Sequence, residues 1–178
     1  MRFFQPKLLV PLSLFAIVMY GVQFHGNTEP YHTASQELWE EVTDNFSKMI
    51  RQSEDIVRFA DEFTSENPEQ LTEIITRAKT SDFYSPEAKE SIQTIEKITS
   101  DLKRELIELE PLLKKGISLE KTVKLEKLIA DYQGVETEFE LTQQRYNENA
   151  LLLNQKIAKF PNSILALVFG YKSVAVFQ

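Results

Sequence analysis

Hydrophobic residues recur at three- and four-residue steps along most of the chain. In the first such stretch they are Leu38, Val42, Phe46, Met49, Ile56, Ala60 and Phe63. This spacing places them on one face of a helix. Asn67 and Pro68 then provide an N-cap and a first helical residue, and the pattern continues to Ala78. We therefore expect residues 33–65 and 68–80 to form one bent helix or two coaxial helices.

A second helix is predicted from the start signal Ser85-Pro86-Glu87. Its apolar residues are Ile92, Ile95, Ile98, Leu102, Leu106 and Leu109. We expect this helix to return antiparallel to the first, to be interrupted around Pro111 and to end near Gly116. A glycine at that place suits a left-handed C-cap.

A third stripe runs for some forty residues, from Leu119 to Phe160, which corresponds to a helix of about 60 Å. Alternation of period two never persists between residues 33 and 160, so strands are not expected there. The predicted fold class is all-α, with an elongated antiparallel helical bundle of three to four helices over residues 33–161.

The amino-terminal region has a different pattern. Residues 1–7 form a short basic tail with Arg2 and Lys7, and residues 8–24 carry no charge. As a helix, that run would measure about 25 Å, which suits a transmembrane anchor. Bulky residues such as Tyr20 and Phe24 stand at the end of the run, rather than the small residues of a cleavage site, so a retained anchor is favoured over a cleaved signal peptide or a buried core helix. Residues 25–32 are predicted to be a linker.

The charge distribution indicates that residues 1–24 and residues 25–178 lie in two different environments. The net charge is −7, with two basic and no acidic residues in 1–24, and 18 basic and all 27 acidic residues in 25–178. The positive-inside rule then predicts a single-pass protein of the cell membrane, with a cytoplasmic N-terminus and an extracytoplasmic bundle. An acidic bundle disfavours nucleic acid as a partner.

Signatures of catalysis and of metal binding are missing from the sequence. It has no Cys, its five Gly residues form no phosphate-binding loop, and neither His25 nor His32 lies in an H-E-x-x-H motif. A di-metal bundle site would need Glu-x-x-His pairs on two helices. We therefore predict no catalytic, metal or cofactor-binding residue, no cofactor, and a protein that is not an enzyme.

The last third of the chain carries a recognisable pattern. Tyr146-Asn147 is followed seven residues later by Leu153-Asn154, then by Phe160-Pro161 and by Phe169-Gly170-Tyr171. This pattern resembles the LemA family of bacterial membrane-anchored helical proteins, most specifically over residues 146–171. The second Tyr-Asn pair of the family is Leu153-Asn154 here, and residues 48–57 lack the family's paired Arg, Asp and Pro, so the chain resembles a divergent member. The resemblance implies one membrane helix, a long antiparallel bundle and no catalytic residue.

Eight residues of this pattern form the candidate interaction or register set. Asn147 and Asn154 share a helix face, where their amides could fix helix register or bind a partner. Residues 162–178 form an apolar tail, too short to span a bilayer. It is expected to pack on the bundle, and the alternatives are a self-association or partner groove and contact with a membrane surface. The whole set is Tyr146, Asn147, Asn154, Phe160, Pro161, Phe169, Gly170 and Tyr171.

The function expected from these features is that of a scaffold or adaptor of the bacterial envelope. It would dock another membrane or envelope protein, such as a membrane protease or an oligomeric assembly, and a homo-oligomer fits the same features. The alternatives are a self-assembling structural envelope protein, a secreted soluble coiled coil and a bundle enzyme.

Overall fold

The computed structural model describes residues 6–64, 67–81, 83 and 85–178, with the side chains of residues 6–12 excluded. Every regular element in these residues is a helix, which confirms the all-α prediction. The helices are α1 (Pro6–Phe63), α2 (Glu69–Thr80), α3 (Lys89–Leu113), α4 (Leu119–Ala158) and α5 (Asn162–Phe169).

Helix α1 is 58 residues long, or about 87 Å, and it contains most of what the sequence divides into anchor, linker and first bundle helix. The predicted linker, residues 25–32, is therefore helical and does not separate two elements. Gly26 and Pro30 favour a break, but Phe24, Thr28 and Ser35 lie buried on one face and hold the segment against the rest of the protein. Most of the predicted basic tail, residues 1–5, lies outside the described residues.

Among the described residues, no helix combines the length and the apolar character that crossing a bilayer requires.

Helix α2 turns back along α1, so the two helices are neither coaxial nor one bent helix. Lys79 near the end of α2 forms an ion pair with Glu54, nine residues before the end of α1. The reversal has a clear cause, because it buries the apolar face of α2 against α1 and α3 instead of leaving it in solvent. The buried residues of α2 are Leu71, Ile74, Ile75 and Ala78.

Helix α3 runs parallel to α1, and the prediction of an antiparallel return is wrong for it. Two ion pairs, Lys103–Glu136 at 3.0 Å and Lys114–Glu126 at 3.4 Å, place α3 antiparallel to α4. Helix α4 is itself antiparallel to α1, since residue 45 of α1 bonds to residue 142 and residue 31 bonds to residue 149. Because α2 already makes the first return, the bundle is up-down-up-down.

Pro111 does not interrupt α3, which continues to Leu113. The carbonyl that loses its amide partner belongs to Ile107, whose side chain is exposed, so water can take the place of the missing donor. The C-cap is Lys114 in a right-handed conformation, and the left-handed residue is Gly116, two residues later in the turn, at a φ of 83°.

The core of the bundle is a continuous row of buried side chains between α1 and α4, extended by α2 and α3. On α4 the buried row repeats every seven residues, which is the spacing of a helix that faces its partners along one seam. Its members are Leu125, Tyr132, Phe139, Tyr146 and Leu153. Facing them on α1 are Trp39, Val42, Phe46, Met49 and Ile56.

Candidate functional site

Of the predicted apolar tail, residues 162–169 form α5 and residues 171–178 form no helix; the name tail is kept here for residues 171–178. Two asparagines of α4 hold the backbone of this tail. Asn147 donates from Nδ2 to the carbonyl of Phe177 at 3.0 Å, and its Oδ1 accepts from the Phe177 N–H at 2.8 Å. Asn154 makes the same pair of bonds with Val174, at 2.8 and 3.0 Å. Each amide thus uses its donor and its acceptor on one residue of the tail, and the tail runs antiparallel to α4.

The spacing of the two clamps follows from backbone geometry. Seven residues of helix rise about 10.5 Å, whereas three residues of extended chain cover about 9 to 10 Å. The distance along α4 between Asn147 and Asn154 is therefore close to the distance between Val174 and Phe177 along the tail, and both pairs of bonds form with little distortion of either backbone. The buried residues of the tail, Tyr171, Val174 and Phe177, recur every three residues, which is the period of an extended chain of polyproline type.

Tyr146 joins the tail to the start of α3. Its hydroxyl donates to the carbonyl of Ala175 at 2.8 Å and lies 3.3 Å from the carbonyl of Pro86. The N–H of Ala175 in turn donates to Pro86 at 2.9 Å. The ring is fully buried, and this burial raises the pKa of the Tyr146 phenol, so the hydroxyl stays a donor at neutral pH.

An aromatic cluster fills the space beneath the tail. The Phe177 ring stands edge-on to Tyr146 at 5.7 Å between centroids and stacks on Trp39 at 6.2 Å. The indole N–H of Trp39 donates to the carbonyl of Phe83 at 3.3 Å. Three rings from α1, α4 and the tail therefore enclose the end of the chain.

The Phe169-Gly170-Tyr171 motif turns the chain from α5 into the tail. Gly170 has a φ of 77°, a left-handed conformation that favours glycine, and the Tyr171 N–H donates back to Ala166 at 2.8 Å. Phe160 and Pro161, by contrast, are exposed and joined by a cis peptide bond just before α5. The motif residues thus divide between those that hold the tail and those that shape the turns around α5.

Tyr171 binds a carboxylate of α1 at the other end of the tail. Its hydroxyl donates to Glu29 Oε2 at 2.6 Å, and His25 Nδ1 lies 2.5 Å from the same hydroxyl oxygen. Because the Tyr171 hydroxyl proton lies in the bond to Glu29, His25 Nδ1 is the donor in the bond between His25 and Tyr171. The bond from Tyr171, opposed by desolvation and aided by the nearby histidines, lowers the pKa of Glu29 below 4.5.

A second polar group lies between α1 and α4, and sequence reasoning missed its importance. Asn45 is buried in the apolar stripe of α1 and donates to Thr142 Oγ1 at 3.1 Å, and Arg145 pairs with Glu41 beside it. These residues line an open groove of about 550 Å³. The available signal was a polar residue inside the hydrophobic stripe at position 45.

Asn149 binds α1 from the same helix but from another face. Its Nδ2 donates to the Tyr31 carbonyl at 2.8 Å and contacts Ser35 Oγ at 2.7 Å. Within the described residues, no three His, Asp or Glu side chains come close enough to hold a metal ion. What the arrangement does chemically is to satisfy buried backbone groups by side-chain amides and hydroxyls.

Comparison with known proteins gives one match. The family model described as the LemA family matches residues 32–178 of this chain, which includes the tail, Tyr146, Asn147 and Asn154 but not Glu29. No curated protein and no solved structure matches the chain.

Proposed function

The chain belongs to the LemA family, and from that premise we propose that it is a membrane-anchored scaffold or adaptor of the bacterial envelope. Its helical bundle would stand outside the cytoplasm and dock another membrane or envelope protein, such as a protease or an oligomeric assembly. The proposed role requires no catalytic residue and no cofactor. It rests on surfaces and on the position of the bundle.

One observation carries the proposed anchor. Every residue from 13 to 20 is exposed, and the first buried residue of α1 after them is Gly21. Eight consecutive residues cover more than two turns, so apolar side chains point to all sides of this projecting helix. A helix that is apolar all round suits a membrane rather than water. The exposed large apolar residues here are Leu14, Phe15, Ile17, Val18, Met19, Tyr20 and Val22.

The continuity of α1 supports a scaffold more than a flexible tether. A single helix leads from the proposed anchor into the bundle core. The anchor would therefore confine the bundle to the membrane and also limit its tilt, and both effects raise its effective concentration for a membrane partner.

The far end of the bundle offers a docking surface. Four apolar side chains are exposed around the turn between α3 and α4, namely Ile107, Leu112, Leu119 and Val123. Helix α4 places this turn about 60 Å from α5. Apolar residues exposed at one end of a protein are typical of an interaction site, so we assign the partner to this end.

The anchor is tested by washing membranes with alkaline carbonate. We expect the full-length protein to stay in the pellet and a variant with Leu14→Lys, Ile17→Lys and Val18→Lys to be released. Release of the intact wild-type protein into the supernatant would refute the anchor.

The adaptor is tested by photo-crosslinking in native membranes from position 123, with position 73 on the exposed side of α2 as the control. A heterologous membrane or envelope protein captured from 123 and not from 73 is the expected result. Self-crosslinks alone from position 123 would favour a self-assembling envelope protein instead.

A further inference from the structure

Helix α5 is apolar on two opposite sides, and only one of them is covered. Leu165 and Phe169 each lie 4.0 Å from the position that a Cβ on Gly21 of α1 would take, and Ala166 is buried. The other side carries Ile164, Leu167 and Val168, which share one face because they are three and four residues apart. All three are exposed, and Leu167 is 83% exposed.

Helix α5 lies beside the base of the apolar projection of α1. Tyr20 donates to Asn162 Oδ1 at 2.6 Å, and the Phe24 and Phe169 rings are 6.2 Å apart. These contacts place α5 beside residues 20–24, at the bundle end of the proposed anchor. The exposed face of α5 and the exposed apolar residues of α1 therefore lie at the same end of the bundle.

The charges around α5 fit a position next to the proposed anchor, at the surface of a membrane. Residues 160–171 carry no charge; Lys159 precedes this segment, and Lys172, which follows it, pairs with Glu87 at 2.8 Å. A lysine at the edge of an apolar segment, as Lys159 is, can extend to lipid phosphates while its stem stays in the apolar region. At eight residues α5 is about 12 Å long, far too short to cross a bilayer.

We propose that α5 lies in the membrane interface, with Ile164, Leu167 and Val168 inserted among the lipid chains of the outer leaflet. This inference rests on the proposed anchor, because α1 brings α5 to that depth. The bilayer would then hold the protein at two places, the anchor and α5. Two contacts fix the rotation of the bundle about the anchor, which one helix leaves free.

The test uses the full-length protein in vesicles of phosphatidylcholine and phosphatidylglycerol. The sequence has no Cys, so a single Cys with an environment-sensitive fluorophore can be placed at Leu167, at Phe15 or at Leu119. Leu119 is the matched control, since it is an apolar helical residue with 82% exposure at the far end of the bundle. Quenching is measured with aqueous iodide and with lipids that carry a quencher on the acyl chain.

We expect the labels at 15 and 167 to be quenched by the lipid quencher and protected several-fold from iodide, and the label at 119 to show the reverse. If the label at 15 responds to lipid and the label at 167 only to iodide, the anchor stands and the inference on α5 is wrong. If neither responds to lipid, the anchor itself fails. A label at 167 protected from both quenchers would mean that protein, such as a second copy, covers α5, and would also overturn the inference.

Discussion

Replacing Asn147 by Leu should release the end of the chain from the bundle. Leucine has the same number of side-chain heavy atoms as asparagine and the same branch at Cγ, but it can neither donate to the Phe177 carbonyl nor accept from its N–H. Two hydrogen bonds of 3.0 and 2.8 Å are lost, and both partners on the tail are backbone groups that stay partly buried. At about 0.5–1.5 kcal/mol for each bond, docking of the tail should weaken by about 1–3 kcal/mol. That range corresponds to roughly a 5- to 150-fold increase in the undocked fraction.

The measurement uses the full-length protein in detergent micelles. Amide hydrogen exchange at Val174 and Phe177 reports the opening of the tail directly. The fluorescence of Trp39, the single tryptophan, reports loss of the stacked Phe177 ring. Exchange at Val174 should accelerate together with exchange at Phe177, because the two clamps hold one short segment. Asn154→Leu should have the same effect from the other clamp.

The matched control is Gln155→Leu, which removes an amide from an exposed position of the same helix. It should leave both exchange rates unchanged. Protection at Phe177 that is equal to or greater than the wild type in Asn147→Leu would show that burial of the leucine outweighs the two bonds. The view that the asparagine amides hold the tail would then be refuted.

Three further predictions concern single positions. Gly170→Ala should destabilise the protein by about 1–2 kcal/mol through its positive φ alone, since a Cβ there meets no atom within 4 Å. Gly134→Ala, inside α4, should instead stabilise the protein by about 1 kcal/mol, because alanine has the higher helix propensity. Thermal unfolding measures both changes. Tyr171→Phe should raise the pKa of Glu29 toward 4.5 in an NMR titration of the carboxyl. In the wild type, the ionised Glu29 therefore stabilises the fold above pH 4.5, and this contribution is lost as the pH falls through the lowered pKa. Asn45→Leu should cost under about 1 kcal/mol in urea unfolding, because the hydroxyl that it binds still donates to Glu138 at 2.9 Å.

Helical periodicity was sufficient to predict the helical class and most of α3 and α4. It could not give the direction of successive helices. Asn67 and Pro68 indicate where one helix ends and the next begins, but they do not indicate the angle between the two helices. The reversal at α2 depends on which helix faces bury each other. One unrecognised reversal was enough to invert the predicted direction of α3.

The predicted linker, residues 25–32, lies inside α1. Gly26 and Pro30 both have low helix propensity, so local composition does not account for this. Tertiary contacts decide otherwise, since Tyr171 bonds to Glu29 and the ring of His25 stacks on Phe169 at 5.0 Å. Those partners lie about 140 residues away along the chain, where no local pattern can indicate them.

The asparagines were identified from the sequence, but their partner was not. Seven-residue spacing shows that Asn147 and Asn154 share a face, and in a bundle the nearest surface to expect is another helix. Residues 162–178 were expected to pack on the bundle, but residues 171–178 have neither helical periodicity nor steady alternation, so the sequence did not indicate that they lie along the face of the two asparagines. The match between seven helical and three extended residues becomes visible only when both backbones are known.

The tail connects parts of the bundle that the chain order leaves apart. Tyr171 bonds to α1, Ala175 to the turn before α3, and Val174 and Phe177 to α4. Helices α1 and α4 form the long pair that leads to the proposed anchor, so the tail closes the bundle just above the membrane. Loss of the clamps should therefore loosen α5 and the base of the bundle, while the far end, 60 Å away along α4, keeps its packing. A variant such as Asn147→Leu would then separate the two proposed contacts, because it should weaken the insertion of position 167 and leave crosslinking from position 123 intact.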